Sequence, residues 1–353
     1  MDKHNQDKQK EDKQKDESTS NKIQSGKGID IGTAFIKCAY KENNKVIYKK
    51  QRNAFFEIDQ SDYSKNILDS HKIKYIAKDK ELYVVGDDAL EFASIFRKET
   101  RRPLSRGVIS PTEKKAFPMI QLLIKSVIGE PSKPGEIAYY SVPSEPLDAD
   151  LNVVYHRDII GELLRNTGYK PKEIKEGYAL ILSELAEKEF TGIGISFGGG
   201  MVNVSFAYKS IPILNFSLAK GGDWIDHYAA QALNEPTSTV TRIKETNLDL
   251  DNIKELSSIE SALSIFYNHL IEYLIEHLKQ QLSKDEMPMI EKPITIVLAG
   301  GTSLPKGFVT RFKTILDRSS FPIAVGEIIH AANPVNAVSN GALVAALSDS
   351  ENQ

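Results

Sequence analysis

The chain carries one cysteine, Cys38, in 353 residues. That excludes a disulfide framework, a cysteine-ligated zinc and an iron–sulfur cluster within one copy, and implies a reducing compartment, the cytoplasm. Charge of neither sign dominates: 45 lysines and arginines face 48 aspartates and glutamates, a formal net charge of −3. A dedicated nucleic-acid surface would be clearly basic, so no nucleic-acid partner is expected. No apolar run approaches the roughly 20 residues that cross a bilayer, and the N-terminus lacks the apolar core of a signal peptide, so no membrane insertion is expected. Residues 1–26 are almost entirely Lys, Asp, Glu, Gln, Asn and Ser. With so little to bury, they read as a disordered polar tail. Residues 349–353 read as a second, short tail.

What is present begins at Gly28–Tyr40, the first strongly apolar, β-prone run. Asp30, Gly32 and Thr33 stand where one strand turns into the next, and Lys37 follows Asp30 by seven positions. Glycine in such a turn admits a ligand close to the backbone, and successive amides can hold a phosphate. The pattern recurs about 165 residues later, where Gly192–Phe197 is a strand, Gly198-Gly199-Gly200 a turn and Met201–Tyr208 a returning strand. Repetition of a strand–turn–strand unit suggests two similar domains facing each other. Elsewhere strands and helices alternate in clusters, which gives an α/β class. Ser110-Pro111 predicts a helix start, proline being tolerated at the first helical position. The spacing also predicts a long helix over Ile259–Leu282 and a last helix from Asn333-Pro334 to Leu347.

Five ordered signatures make the chain resemble the actin, sugar-kinase and heat-shock-chaperone ATPase superfamily, and within it the bacterial and archaeal actins of MreB type. They are Asp30-Ile31-Gly32-Thr33, the segment around Glu176-Gly177-Tyr178-Ala179, Ser196-Phe197-Gly198-Gly199-Gly200, Leu298-Ala299-Gly300-Gly301-Thr302, and Asn333-Pro334 through Gly341-Ala342. The segments Gly86-Asp87-Asp88-Ala89, Arg102–Ile109 and Gly221–Asp226 add to the match. The resemblance implies a two-domain actin-like ATPase fold, with duplicated ribonuclease-H-like domains around a nucleotide cleft. Domain I would span 27–184 plus 334–348, and domain II 185–333.

By the same resemblance the cofactors are ATP or ADP with Mg2+. Asp30 would orient the water shell of the Mg2+, an ion that keeps several waters. Gly32, Thr33, Ala34 and Lys37 would contact phosphate from one side, and Gly198, Gly199 and Gly200 from the other. Gly222 and Asp223 would lie by the ribose, Lys244 and Glu245 by ribose and adenine, and Gly301, Thr302 and Ser303 under the base, with Ser196, Asn203, Gly300 and Lys306 also among the nucleotide-binding residues. The chain departs from the family where Ser196 replaces the usual aspartate and where Asn203 replaces an acid or histidine. The water-positioning residue aligns to Asp150 from one side and to His156 from the other, and the two remain alternatives. Only fourteen positions separate Glu245 from Ile259, too few for the small insert that MreB relatives carry there. The implied function is a cytoskeletal ATPase whose nucleotide state controls closure and filament or self-assembly. The alternatives are a non-polymerising ATP-binding adaptor or weak ATPase, and, further off, a small-molecule kinase.

Overall fold

The computed structural model describes residues 23–73, 75–93, 95–252, 256–284 and 292–351. The predicted tail at 1–26 lies outside the described residues except for 23–26, which extend the first strand by pairing Ile23 and Gln24 with Glu42 and Lys41. At the other end, residues 349–351 continue the last helix, and 352–353 lie outside.

The chain opens with β1 (Ile23–Ile31), β2 (Phe35–Glu42) and β3 (Lys45–Arg52), followed by β4 (Phe55–Asp59), α1 (Asp62–Ser70), β5 (Tyr75–Lys78), β6 (Glu81–Val85) and α2 (Asp87–Ala93). Next come a small hairpin of β7 (Leu104–Ser105) and β8 (Val108–Ile109), α3 (Ala116–Ile128), β9 (Ile137–Val142), α4 (Val153–Asn166), β10 (Lys170–Lys175) and α5 (Glu176–Glu184). The second half contains β11 (Gly192–Phe197), β12 (Val202–Tyr208), β13 (Ile211–Leu218), α6 (Gly222–Leu233), α7 (Thr237–Thr246) and α8 (Ser258–Leu282). It closes with β14 (Ile294–Ala299), α9 (Phe308–Asp317), β15 (Val325–His330) and α10 (Ala337–Glu351).

Two five-stranded sheets result, ordered β10-β9-β1-β2-β3 and β13-β12-β11-β14-β15. In each, three antiparallel strands are extended by two parallel ones, so the duplication expected from the glycine turns extends to the whole sheet. Side chains alternate across a strand. Ile29 and Ile31 therefore point into one core with Ile120, Leu123 and Ile124 of α3, while Gly28 and Asp30 face the other way. In the second half, α8 lays Leu263, Tyr267, Leu270, Ile271, Leu274, Ile275 and Leu278 against the sheet, a helical stripe. Ser257 and Glu260 cap its N-terminus reciprocally.

Helices α5 and α10 lie between the sheets and share a core of small residues, including Ala179, Ala299, Ala337, Val338 and Ala342. The approach is close because glycines stand at the crossings. A Cβ on Gly28 would lie 2.1 Å from the Ser339 carbonyl oxygen, one on Gly194 2.1 Å from that of Gly177, and one on Gly341 1.7 Å from that of Ala179. These neighbours are backbone atoms, which cannot swing aside.

Two element boundaries differ from the sequence reading. Residues 111–115 form turns and α3 starts only at Ala116. There the Glu113 carboxylate accepts from the Lys115 amide (2.8 Å) and pairs with Arg101, holding a loop where a helix start was expected. The last helix starts at Ala337, not at Asn333-Pro334. The short link predicted in the second half is present. Only residues 247–257 join α7 to α8, pinned by the Leu250 amide donating to the Lys306 carbonyl (2.8 Å). The first half instead carries the outer sheet β4-β6-β5 with its own small core.

The α5–α10 crossing yields a direct test. Gly341→Ala should destabilise the protein by about 3 kcal/mol, the upper part of the usual overpacking range, in urea unfolding. Ala345→Gly, on the same helix, should cost about 1 kcal/mol, the ordinary helix-propensity penalty.

Candidate functional site

The two repeated turns close alike. The Gly32 amide donates to the Phe35 carbonyl (3.0 Å), and the Gly198 amide donates to the Met201 carbonyl (2.9 Å). In each turn other carbonyls are held on the side away from the facing turn. Buried Asn53 donates its side-chain amide to the carbonyls of Gly32 and Thr33 (both 3.2 Å) and its backbone amide to that of Ala34 (2.9 Å). The N-terminus of α6 does the same for the second turn. The Gly222 amide meets the Gly198 carbonyl (3.0 Å), and the Asp223 amide meets that of Gly199 (2.8 Å). A trans peptide points its N–H opposite to its C=O. The amides of Thr33, Ala34, Gly199 and Gly200 are thus turned away from these supports, and all four residues line one cleft of about 500 Å³. At its edge the turns meet, a Cβ on Gly199 lying 3.3 Å from that of Ala34.

Strand register sets the polar floor. Asp30 pairs across the ladder with Lys37, and the corresponding pair in the second sheet is Ser196 with Asn203. Lys37 Nζ donates to Asp30 Oδ2 at 2.6 Å, and Ser141 Oγ donates to Asp30 Oδ1 at 3.2 Å. Ser196 Oγ donates to Glu176 Oε2 at 3.1 Å. Asn203 Oδ1 accepts the Ser144 amide at 3.0 Å, tying the second sheet to the loop that leaves β9. Glu176 is the first residue of α5 and is buried. Burial, and then the Asp30 charge, hold its carboxyl well above the ordinary carboxylate range, while Ser196, Lys37 and Asn203 act in the opposite direction.

Most residues singled out in the sequence line this cleft: Asp30, Gly32, Thr33, Ala34, Lys37, Ser196, Gly198, Gly199, Gly200, Asn203, Asp223, Lys244, Glu245, Gly300, Gly301, Thr302 and Lys306. Gly222 and Ser303 stand behind the lining. Gly222 leaves room for Thr302 Oγ1 and Lys244 Nζ, which a Cβ would meet at 2.6 and 2.9 Å. Ser303 Oγ donates to the Gly300 carbonyl (2.7 Å) and lies 2.9 Å from His330 Nε2. Lys244 bonds buried Asp226 (2.7 Å) and the Gly222 carbonyl (3.0 Å), and Lys306 bonds Asp249 (2.7 Å). Arg102 crosses the cleft mouth, donating from Nη1 to both carboxylate oxygens of Asp223 at 3.0 and 2.9 Å.

Neither alternative for the water-positioning residue reaches the cleft. Asp150 is exposed in the loop before α4. His156 points inward from α4, fully buried, with neither ring nitrogen hydrogen-bonded among the described residues. Glu176 occupies the floor instead. The sequence showed it only as part of a connecting helix, although an acid at a helix start in an otherwise apolar segment was a usable signal. Asn53 and Arg102 also belong to the site, and Asn53 had no motif to mark it.

A profile of the Volactin family matches residues 26–346. The chain belongs to the Volactin family. No curated protein matches it in sequence. Among solved structures, the Volactin chain is similar to the MamK double helical filament at 17% identity and TM-score 0.67, over 91% of this chain and 98% of that one. It is similar to MreB5 of Spiroplasma citri bound to AMPPNP at 16% identity and TM-score 0.66, over 93% and 98%. It also resembles the ethanolamine utilization protein EutJ from Carboxydothermus hydrogenoformans at 14% identity and TM-score 0.51, over 91% and 89%. The fold of this Volactin member is the two-domain actin-like ATPase fold. Among the described residues no helix is long and apolar enough to cross a membrane.

Burial lowers the His156 pKa from 6.5 to about 4. Between those values the unfolded chain takes up a proton that the folded one refuses. Stability should therefore fall as pH drops from about 6.5 towards 4, with no contribution from this group above pH 7. Urea titrations of His156→Leu should show a shallower loss over that window than the parent shows.

Proposed function

We propose that this Volactin member is an actin-like ATP-binding protein of the cytoplasm and a slow Mg2+-dependent ATPase, with nucleotide state coupled to cleft closure and self-association. The carrying observation is the pair of opposed turns, whose Thr33, Ala34, Gly199 and Gly200 line one cleft with their amides turned away from the groups that hold the turn carbonyls. Rows of backbone N–H groups on two walls suit a polyphosphate. The similar MreB5 was solved with AMPPNP and with ADP, and MamK as a double helical filament, which supports extending both properties to this chain.

The donor set fits Mg2+ carried in by the nucleotide. The described residues hold no group of three or more His, Cys, Asp or Glu able to cage a metal, yet Asp30 and Glu176 stand near each other on the floor of the cleft. Mg2+ favours such sites, keeping its waters and taking few protein ligands. When bound it would neutralise phosphate charge. Asp30 would hold it through water. Lys37, anchored by Asp30, would lie beside the phosphates, and Lys244 and Glu245 beside ribose and base. Glu176 would accept a proton from the attacking water, with Ser196 Oγ donating to its carboxylate. A raised pKa brings a carboxylate closer to the working pH of a general base. Arg102 and Asp223 join the two walls, and opening of the cleft would have to separate them.

A second reading, a non-polymerising ATP-binding adaptor or weak ATPase, is favoured by the neutral Ser196–Asn203 pair and by the short 247–257 link. Sedimentation with phosphate-release assays separates the two. ATP-dependent pelleting with turnover supports the first reading, whereas nucleotide binding with neither supports the second.

Glu176→Gln should leave Mg-AMPPNP binding within a few fold while lowering phosphate release by about 10²–10⁴-fold, the usual worth of a general base. It should also raise the thermal midpoint of the nucleotide-free protein at pH 8. Unfolded Glu176 ionises above 4.5 whereas the folded form resists, so the parent loses stability as pH rises past that value and the amide does not. Unchanged turnover in the variant would dismiss Glu176 as the base.

A further inference from the structure

Asp30, Lys37 and Lys50 form one rung across three strands, Asp30 opposite Lys37 and Lys37 opposite Lys50. Directly opposed residues share a face of the sheet, and here all three line the cleft. Two lysines side by side repel.

Their states differ. Lys37 is held at 2.6 Å by Asp30, which cancels much of its charge. Every other cleft-lining cation is similarly occupied: Arg102 by Asp223, Lys244 by Asp226 and Lys306 by Asp249. Lys50 has no carboxylate partner among the described residues. It is exposed on the edge strand β3, and its ammonium lies 5.6 Å from the centre of the Phe35 ring, at the end of the first turn. Arg52 stacks on the same ring at 4.5 Å while bonded to Asp87. A ring face tethers an exposed ammonium weakly and leaves its three donors available.

We propose that Lys50 is a phosphate-contacting residue of the cleft and supplies the free positive charge that Asp30 withholds from Lys37. A lysine is suited to this because it is a compact point charge on a flexible stem, able to leave Phe35 and reach an incoming anion. The contact is electrostatic, so its strength grows with the negative charge of the nucleotide and shrinks with added salt. The inference rests on the reading of the cleft as a polyphosphate site.

The test is equilibrium binding of Mg-AMPPNP and Mg-ADP to the full chain, to Lys50→Gln and to Lys50→Arg, at low and high salt. Thermal midpoints matching the parent would show that both variants are folded. Lys50→Gln should bind Mg-AMPPNP about tenfold more weakly, and Mg-ADP with a smaller loss. The loss should narrow at high salt, and Lys50→Arg should restore most of the affinity. Parent-like binding of both nucleotides by Lys50→Gln, within twofold, overturns the role of Lys50 while leaving the nucleotide site intact. So does a Lys50→Arg variant as weak as Lys50→Gln, because shape rather than charge would then matter. A parent that binds neither nucleotide overturns the proposed function and this inference together.

Discussion

Two carboxylates, Asp30 and Glu176, share the floor of the cleft, and a single lysine among the described lining residues is ion-paired to either of them. Like charges at a buried site cannot both ionise cheaply. One solution is visible: Asp30 takes Lys37, while Glu176 leans on neutral donors and titrates high. A divalent cation arriving with a polyphosphate would supply the other. The floor as it stands thus favours a proton on Glu176.

Much of the remaining architecture keeps that floor in register. The duplicated sheets bring Asp30 and Ser196 to equivalent places beside equivalent turns. Helices α5 and α10 set the spacing between the sheets, and they approach closely because Gly28, Gly194 and Gly341 leave no side chain at the crossings. Asn53 and the start of α6 hold the turn carbonyls from behind, which decides where the amides point. Arg102 and Asp223 then fasten the two walls at the mouth. Ser196 in the place that corresponds to Asp30 leaves the floor asymmetric, with its two carboxylates on β1 and α5.

Parts of this were legible in the sequence because their physical requirements are local. A glycine turn after an apolar strand is a short pattern, and it occurs here in both halves, with an acid two residues before it in the first and Ser196 in the second. Glu176 was harder. Its importance comes from the distant residues it faces, Asp30 and Ser196, while its neighbours along the chain suggested only a helix. His156 illustrates the converse, since alignment with the family made it a candidate while the helical register of α4 turns its ring into the core. Strand β10 escaped notice because Lys170-Pro171-Lys172-Glu173 is polar and Ile174 alone is buried, as befits the edge of a sheet. Asn53 sits in a connection with no pattern around it.

The central claim is that one ligand is gripped from both sheets at once. Amide hydrogen exchange with and without Mg-AMPPNP tests it most directly. Simultaneous protection of residues 32–35 and 198–201, in the same range of nucleotide concentration, is the predicted result. Protection of one turn alone, or of neither at a concentration where nucleotide is bound, would contradict it.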